Sequence, residues 1–249
     1  MKMSVENAKS FRDAVSSIAN LVGEGVFEAT PEGLRLKAID PSQISMVSFF
    51  MPSSAFSMYD ASKKEKKESF GVDIEKLIKV LDRARPDEKL VVSLEKNEMV
   101  VEFVGGKRKR TFRMPLLDLG EGVQKEPPIS YKNYIKMNDS LLKESIKDAK
   151  LISSHLRFLI SDGVLRLEVA GENSRMVSEY EEGEEVLEMK AEGNVRATFP
   201  LNYLDDIVKG SSAGSIITLY LETDSPLKVT YEVGGATVVY YLAPRMEVE

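Results

Sequence analysis

Residues 115–131, PLLDLGEGVQKEPPISY, join two halves of the chain that carry similar sequence patterns in the same order. The stretch GLRLKA at 33–38 returns as GVLRLEVA at 163–170, and LIKVL at 77–81 returns as LDDIV at 204–208. Matching stretches stay roughly 130 residues apart, and chance similarity of amphipathic segments rarely keeps one order and one spacing. The pattern therefore predicts an internal repeat with residues 115–131 as the seam.

Length and composition are those of a two-domain globular protein. A chain of 249 residues can bury one large core or two ordinary ones, and the repeat favours two. We predict an N-terminal domain over 1–117, a connector over 118–130 and a C-terminal domain over 131–249. A hydrophobic content of 43% is typical of soluble proteins, and no apolar run approaches the roughly 20 residues that span a bilayer.

The N-terminus, the cysteine count and the net charge narrow location and chemistry. The first residues, MKMSVENAKSF, lack the apolar region of a signal peptide, so we expect an intracellular protein. Because the chain has no cysteine, disulfides and thiolate metal sites are excluded. The net charge of −6 argues against nucleic acid only if charge is spread evenly, so its distribution matters more than its sum.

Four segments have the apolar spacing of amphipathic helices, near residues 7–22, 74–83, 139–150 and 201–209, with Asp73 placed to cap the second. Short runs rich in β-branched and aromatic residues, bounded by turn signals, predict strands between them. The helices lie too far apart in sequence to act as crossovers of a parallel sheet. We therefore predict an α+β fold in which each domain has antiparallel sheets with two helices on one side.

Residues that could support catalysis are few. His155, the only histidine, is expected just past the end of a helix, with no cysteine or second histidine to complete a triad or a metal site. Asp40 could be a catalytic carboxylate, but Asp-Pro-Ser is also an ordinary turn. The acidic run at 179–185 lacks the spaced ligands of a cation-binding loop, and there is no phosphate-binding glycine loop. We predict no catalytic residue, no metal site and no cofactor, and keep an enzyme acting on DNA as an alternative.

Three of the four predicted helices carry basic residues on the face that cannot be buried. Such charge is usually a solvated surface, but its collection on helices in an acidic protein favours contact with DNA phosphates without base readout. The fourth helix differs, because Asn202, Asp205 and Asp206 leave only Lys209 positive. The basic residues are Lys9, Arg12, Lys76, Lys79, Arg83, Lys143, Lys147 and Lys150.

Two predicted strands in different domains differ in charge. Five of the seven residues at 107–113 are basic, whereas 175–182 contains Glu179, Glu181 and Glu182. Strand edges that expose unpaired backbone need a cover. Head-to-tail pairing of these strands between chains would close a ring if the rotation allows it.

Two further stretches resemble a known family. LRLKAIDPSQISM at 34–46 and YYLAPRME at 240–247 resemble the signature stretches of proliferating cell nuclear antigen, the DNA sliding clamp of archaea and eukaryotes. The Asp-Pro-Ser block, the connector, the Ser-Pro-Leu turn at 225–227 and the Leu-Ala-Pro ending occur in the family's order. The resemblance therefore covers the whole chain, and an archaeal member is expected.

The resemblance implies a ring of three two-domain subunits with helices lining the hole and sheets outside. Such a ring encircles duplex DNA without reading its sequence and tethers DNA polymerase. A clamp loader and other replication and repair proteins would bind through a short hydrophobic and aromatic peptide. The DNA-facing residues would be the eight basic residues above together with His155. An archaeal protein would be cytoplasmic and associated with the nucleoid, and a eukaryotic one nuclear.

The resemblance also implies two kinds of protein contact. A partner-peptide pocket beneath the connector matches, by motif, Ile39, Ile44, Met46, Val123, Pro226, Tyr241, Leu242, Ala243 and Pro244, although each of these taken alone could be ordinary core. Ion pairs between subunits match Arg83, Arg85 and Arg110 on one side and Glu144 and Asp148 on the other. Arg83 belongs to both predicted sets, so the sequence leaves two roles for it, contact with DNA or contact with the next subunit. A ring of three different chains, and an oligomer without a DNA role, remain alternatives.

Overall fold

The computed structural model describes residues 1–61, 68–120 and 125–246. In that part of the chain the four predicted helices are confirmed as α1 (Ala8–Ala19), α2 (Ile74–Leu81), α3 (Asp139–Lys150) and α4 (Leu201–Lys209). The strands are β1 (Lys2–Val5), β2 (Glu24–Thr30), β3 (Gly33–Ile39), β4 (Ser45–Pro52), β5 (Met58–Asp60), β6 (Glu68–Asp73), β7 (Lys89–Glu95), β8 (Glu98–Gly105), β9 (Arg108–Pro115), β10 (Asn133–Asn138), β11 (His155–Ser161), β12 (Val164–Ala170), β13 (Arg175–Tyr180), β14 (Val186–Lys190), β15 (Val195–Pro200), β16 (Ile216–Leu221), β17 (Leu227–Val233) and β18 (Ala236–Leu242). None of the helices described is long and apolar enough to cross a membrane.

The chain forms two compact units, and each draws on separate segments of the sequence. The first unit comprises Met1–Pro41, Val47–Lys125 and Glu232–Val238. The second comprises Ser42–Met46, Glu126–Tyr231 and Val239–Glu249.

In the first unit, a sheet with strand order β5-β1-β7-β8-β9 is antiparallel throughout. A second series has the order β4-β3-β2-β6. The Asp73 side chain accepts a hydrogen bond from the Lys76 amide and caps α2, as predicted. Phe27 lies 6.1 Å from Phe49 and 5.8 Å from Phe70, ring centre to ring centre, in the core beneath the helices.

In the second unit, strands β13-β12-β11-β15 form an antiparallel sheet, and β14-β10-β16-β17-β18 form another series. Helices α3 and α4 pack on each other, and their apolar stripes, which include Leu142 and Leu204, are fully buried. Phe158 and Phe199 meet edge to face at 5.8 Å in the core. Each unit therefore has the predicted α+β composition, with two helices and mainly antiparallel strands.

The sequence-based prediction of the strands was incomplete. Several strands were not predicted, including β1, β10 and β15, because each is short and pairs with strands that lie far away in sequence. His155 lies just past the end of α3, as predicted, and it begins a strand. It is the first residue of β11 and pairs with Pro200 of β15.

Candidate DNA, partner and subunit interfaces

The basic residues of α1 form ion pairs at the surface of the first unit. Asn7 caps α1 by accepting hydrogen bonds from backbone amides, which fixes the start of the helix. Lys9 Nζ lies 2.5 Å from Asp13, and Arg12 bonds to Asp13 at 2.8 Å and to Asp82 at 2.7 Å. These hydrogen bonds, which Arg12 donates to Asp13 and Asp82, raise the pKa of Arg12. Ion pairs at exposed positions contribute little stability, so the cations can exchange their partners for phosphates.

The predicted DNA-facing residues on α2 and just after it form fewer ion pairs than those on α1. Lys76 Nζ lies 3.4 Å from its own capping residue, Asp73. Lys79 and Arg83 are exposed, and neither forms an ion pair with any residue that the structure describes. Of the predicted cations in the first unit, these two are the most available to an external anion.

The three lysines of α3 differ although they share one face in the sequence pattern. Lys143 is only 26% exposed, because its Nζ bonds to the buried carboxylate of Asp139 at 2.7 Å and to the Ser211 carbonyl at 3.1 Å. Lys147 is 68% exposed and, among the residues that the structure describes, its side chain bonds to Glu144 alone, at 2.7 Å. Lys150 is paired with Asp205 of α4. Lys143 is therefore a structural residue of the helix start, whereas Lys147 and Lys150 lie at the surface.

The four helices are close to electrically balanced, which differs from the positive surface suggested by the sequence. They contain eight basic and seven acidic residues in total. The acidic residues of α4 are engaged, because Asp205 pairs with Lys150 and Lys209, and Asp206 pairs with Lys209. The helices carry +1 in a chain of −6, so the rest of the chain holds the excess negative charge.

His155 lies beside an arginine rather than among the helix lysines. Its Nδ1 is 2.9 Å from the Ser154 hydroxyl and 3.5 Å from Arg245 Nη1. Burial, and then the positive charge of Arg245, lower the pKa of His155 below its ordinary 6.5. The imidazole is therefore mostly neutral at pH 7 and supplies little positive charge. It lines an open cavity of about 720 Å³ on the second unit, together with Arg157, Arg175 and Arg245.

The pocket residues of the second unit are brought together by backbone contacts. The Ala243 amide donates to the Ile44 carbonyl at 2.9 Å, and the Ser45 hydroxyl donates to the Tyr241 carbonyl at 3.1 Å. The Tyr241 hydroxyl donates to Glu126 at 3.0 Å, at the end of the predicted connector. Burial, and then this hydrogen bond, raise the pKa of Tyr241 well above its ordinary value.

The predicted pocket residues differ in accessibility. Leu242 is fully buried and Met46 nearly so, which makes them part of the core beneath the surface. Ile44 is exposed, and Pro226, Ala243 and Pro244 are half-buried. Ile39 lies at the end of β3 in the first unit and is exposed, and Val123 lies outside the described residues.

Strands β9 and β13 are outermost in their sheets, as expected for strands that pair with another chain. However, β9 is not an unbalanced positive edge. Each of its basic residues already has an acidic partner: Arg108 with Asp87, Lys109 with Glu102, Arg110 with Glu88, and Arg113 with Glu95 and Glu98. On β13, Glu179 is paired with Arg166. Charge attraction between the two strands is therefore weaker than the sequence suggested.

The predicted interface residues fall into two groups. Arg83, Arg85 and Asp148 are exposed, and their side chains form no ion pair with the described residues. Arg110 and Glu144 are already paired, with Glu88 and Lys147 respectively. The first group therefore has free charges for an external partner.

Two acids organise these surfaces, and the sequence pattern did not indicate that either of them is buried. Asp139 accepts from Lys143, the Ser211 hydroxyl and the Gly214 amide, and so ties the start of α3 to the loop after α4. Glu88 accepts from the Arg85 amide and from Arg110. Both lie in polar stretches of the sequence, which are usually exposed to solvent. Their burial becomes visible only in the folded chain, where residues far away in sequence contact them.

The repeat of two α+β units, each with two charged helices and mainly antiparallel strands, is the architecture that the resemblance to the class of DNA sliding clamps predicted. No group of residues that could hold a metal ion is found in the ranges that the structure describes. Family models described as "Proliferating cell nuclear antigen, N-terminal domain" and "C-terminal domain" match residues 1–119 and 125–246. The DNA polymerase sliding clamp of Methanococcus vannielii is 33% identical over 247 residues, which are 97% of each chain. The chain therefore belongs to the proliferating cell nuclear antigen family.

Solved structures support the fold. The family member from Thermococcus kodakaraensis superposes with a TM-score of 0.90 at 24% identity, over 98% of this chain and 99% of that chain. The A. fulgidus member, solved with the C-terminal region of FEN-1 bound, gives 0.87 at 24% identity, over 100% and 99%. The interpretation of the sequence as a non-enzymatic processivity factor of the sliding clamp family is confirmed.

Proposed function

We propose that three copies of this chain close head to tail into a ring around duplex DNA. The observation that best supports this proposal is that β9 in the first unit and β13 in the second are both outermost strands. Each has a backbone edge that no strand in the described part of the chain covers, and the two edges differ in sequence. Pairing of unlike edges is heterologous and closes into a ring when the rotation per subunit divides a full turn.

The surface for DNA in this proposal is the exposed face of the helices. Lys9, Arg12, Lys76, Lys79, Lys147 and Lys150 contact phosphates, with Arg83 at the margin near the subunit interface. Most of these cations already have an acidic neighbour, so most contacts with phosphate replace an existing weak pair, and only those of Lys79 and Arg83 add a new one. A nearly balanced surface holds DNA loosely and without sequence preference, which suits a ring that must slide.

The surface for partner proteins in this proposal is the exposed part of the pocket, formed by Ile44, Pro226, Ala243 and Pro244 above Met46. A peptide with a one-turn helix places aliphatic and aromatic side chains on such an apolar surface. The A. fulgidus relative is solved with a segment of FEN-1, and we expect DNA polymerase and a clamp loader to present similar peptides to this chain. Its archaeal relatives favour a cytoplasmic, nucleoid-associated location.

The experiment that tests the ring is the molar mass in solution, measured by light scattering over a dilution series. A mass of three times 27.8 kDa is expected. Val177 on β13 and Leu187 on β14 make a matched pair, because both are aliphatic, lie on outermost strands and are 46% and 43% exposed. Val177→Asp should lower the mass toward that of one chain, and Leu187→Asp should not.

The outcomes separate the alternatives. A wild-type chain that stays monomeric at every concentration overturns the homotrimer and favours a ring that needs different sister chains. A trimer that resists Val177→Asp overturns the use of the β13 edge. Polymerase extension of primed DNA, with and without the protein, then tests the clamp activity itself.

A further inference from the structure

Glu88 is a buried acid that the function described so far does not use. It lies between α2 and β7 and is only 2% exposed. One carboxylate oxygen accepts from the Arg85 amide at 2.9 Å, and both oxygens accept from Arg110, with the Arg110 Nε contact at 3.3 Å. Burial alone would raise the pKa of Glu88, but the hydrogen bonds from Arg110 and Arg85 outweigh it and hold the pKa below its ordinary value.

Arg110 of β9 is correspondingly fixed in one position. Its Nη2 also donates to the Arg83 carbonyl at 2.8 Å, and its guanidinium lies 5.0 Å from the centre of the Phe103 ring. These contacts use Nε and Nη2, whereas Nη1 has no hydrogen-bond partner among the residues described. The side chain remains 28% exposed. A cation is thus held rigidly at a strand edge with two donors unused.

The other cations of β9 are held differently. Arg108 pairs with Asp87 at 3.0 Å and Arg113 pairs with Glu95 at 2.8 Å, and all four of these side chains are about half exposed. Pairs of that kind exchange readily with water. Only Arg110 of the basic residues on β9 is paired with a buried carboxylate, and a cation fixed in advance loses less entropy when it binds a second carboxylate.

We propose that Glu88 is a positioning residue for subunit assembly. It fixes Arg110 so that the Nη1 donors meet a carboxylate of a second copy of this chain, and it keeps Arg83 and Arg85 beside that contact. This inference rests on the head-to-tail ring proposed above. The carboxylate chosen for the test is Asp148, which the sequence resemblance assigns to the subunit interface and which is exposed and forms no ion pair with the residues that the structure describes.

The test compares Glu88→Gln with Asp87→Asn. Both changes remove one charge and keep the side-chain volume, but the ion pair of Asp87 within the described ranges is with the exposed Arg108. In a light-scattering dilution series, Glu88→Gln should raise the concentration at which the oligomer dissociates by about 10-fold or more, because a fixed charge pair at an interface is lost. Asp87→Asn should change it by less than about twofold.

A second variant separates positioning from simple loss of fold. Arg110→Lys keeps the charge but not the forked geometry, so it should weaken assembly in the same direction. In the Asp148→Asn background, Glu88→Gln should have a much smaller effect, because the contact that it positions is already gone. A merely structural role for Glu88 would leave its effect unchanged in that background and would overturn the proposal.

The remaining outcomes also test the positioning role of Glu88. If Glu88→Gln fails to fold by circular dichroism, Glu88→Asp takes its place in the same comparison, because it keeps the charge but shortens the reach to Arg110. An oligomer equally stable in Glu88→Gln and Asp87→Asn overturns the positioning role alone. A wild-type chain that is monomeric at every concentration overturns the ring and the positioning role together.

Discussion

The lysines of α3 should respond differently to removal, although the sequence gives them one face. Lys147→Ala and Lys150→Ala together remove two surface cations, whereas Lys143→Ala removes a cation bound at 2.7 Å to the buried Asp139. If the helices contact DNA, the double variant should change the salt dependence of binding. Lys143→Ala should instead change stability, because Asp139 then keeps only its hydroxyl and amide donors.

The magnitude follows from the number of phosphates contacted. Each phosphate neutralised contributes about 0.9 to the slope of log affinity against log salt concentration, so the double variant should reduce the slope by about 1.8. Between about 50 and 200 mM salt, that difference corresponds to about a 12-fold smaller loss of affinity. Lys143→Ala should leave the slope unchanged and cost roughly 1–3 kcal/mol of unfolding free energy, the range for a buried group that loses a partner.

The assay is fluorescence anisotropy of a labelled DNA duplex, titrated with protein at several salt concentrations. Urea unfolding of the same variants gives the stability difference. If Lys143→Ala reduced the salt-dependence slope as much as removal of either surface lysine, the reasoning would be refuted. Lys143, although bonded to the buried Asp139, would then contact DNA as the surface lysines do. An unchanged slope in the double variant would place α3 away from DNA.

Three further predictions concern a turn, the pocket and pH. Gly234 has a φ of +58°, and a Cβ there would lie 2.0 Å from a backbone carbonyl oxygen of α1, so Gly234→Ala should lower the urea midpoint far more than Gly193→Ala. Gly193 has a φ of +83° with open space around it. Gly193→Ala should therefore lower the free energy of unfolding only by the roughly 1–2 kcal/mol that an alanine loses in the left-handed region. Equal urea midpoints for the two variants would contradict this. Tyr241→Phe removes the hydrogen bond to Glu126 and should weaken binding of a clamp-binding peptide by about 5-fold in calorimetry, and unchanged affinity would show that this bond does not support the pocket. Because the pKa of His155 is lower in the folded chain, the unfolded chain takes up the proton first as pH falls below 6.5, and stability is lost in that range. His155→Gln should flatten this decline between about pH 7 and 5, and an unchanged decline would assign it to other groups.

Local patterns predicted the elements well where one face of a helix or a single turn decides the structure. α4 occupies Leu201–Lys209, the range predicted from its apolar spacing, and Asp73 caps α2 as its position suggested. The strand β1 escaped prediction because four residues carry no periodic signal, and their stability comes from pairing with β5 and β7. Pairing of that kind is a property of the assembled sheet.

Charge was the least predictable part of the candidate site. The sequence places Lys150 on an exposed face, but its partner Asp205 is 55 residues away on another helix. Glu88 and Arg110 are 22 residues apart, and only the folded chain shows that the acid is buried. Residue type and spacing therefore indicated where cations lie, and tertiary contacts determined which of them are available.

The mixed composition of the two compact units has a consequence for dissecting the protein. The first unit includes Glu232–Val238, where Gly234 lies against Ser10, and the second includes Ser42–Met46, where the Ile44 carbonyl accepts from Ala243. A polypeptide divided within residues 118–130 would leave each half without a segment that its own core uses. The halves are therefore expected to behave as complementary fragments, which fold on mixing and remain unstable when expressed singly.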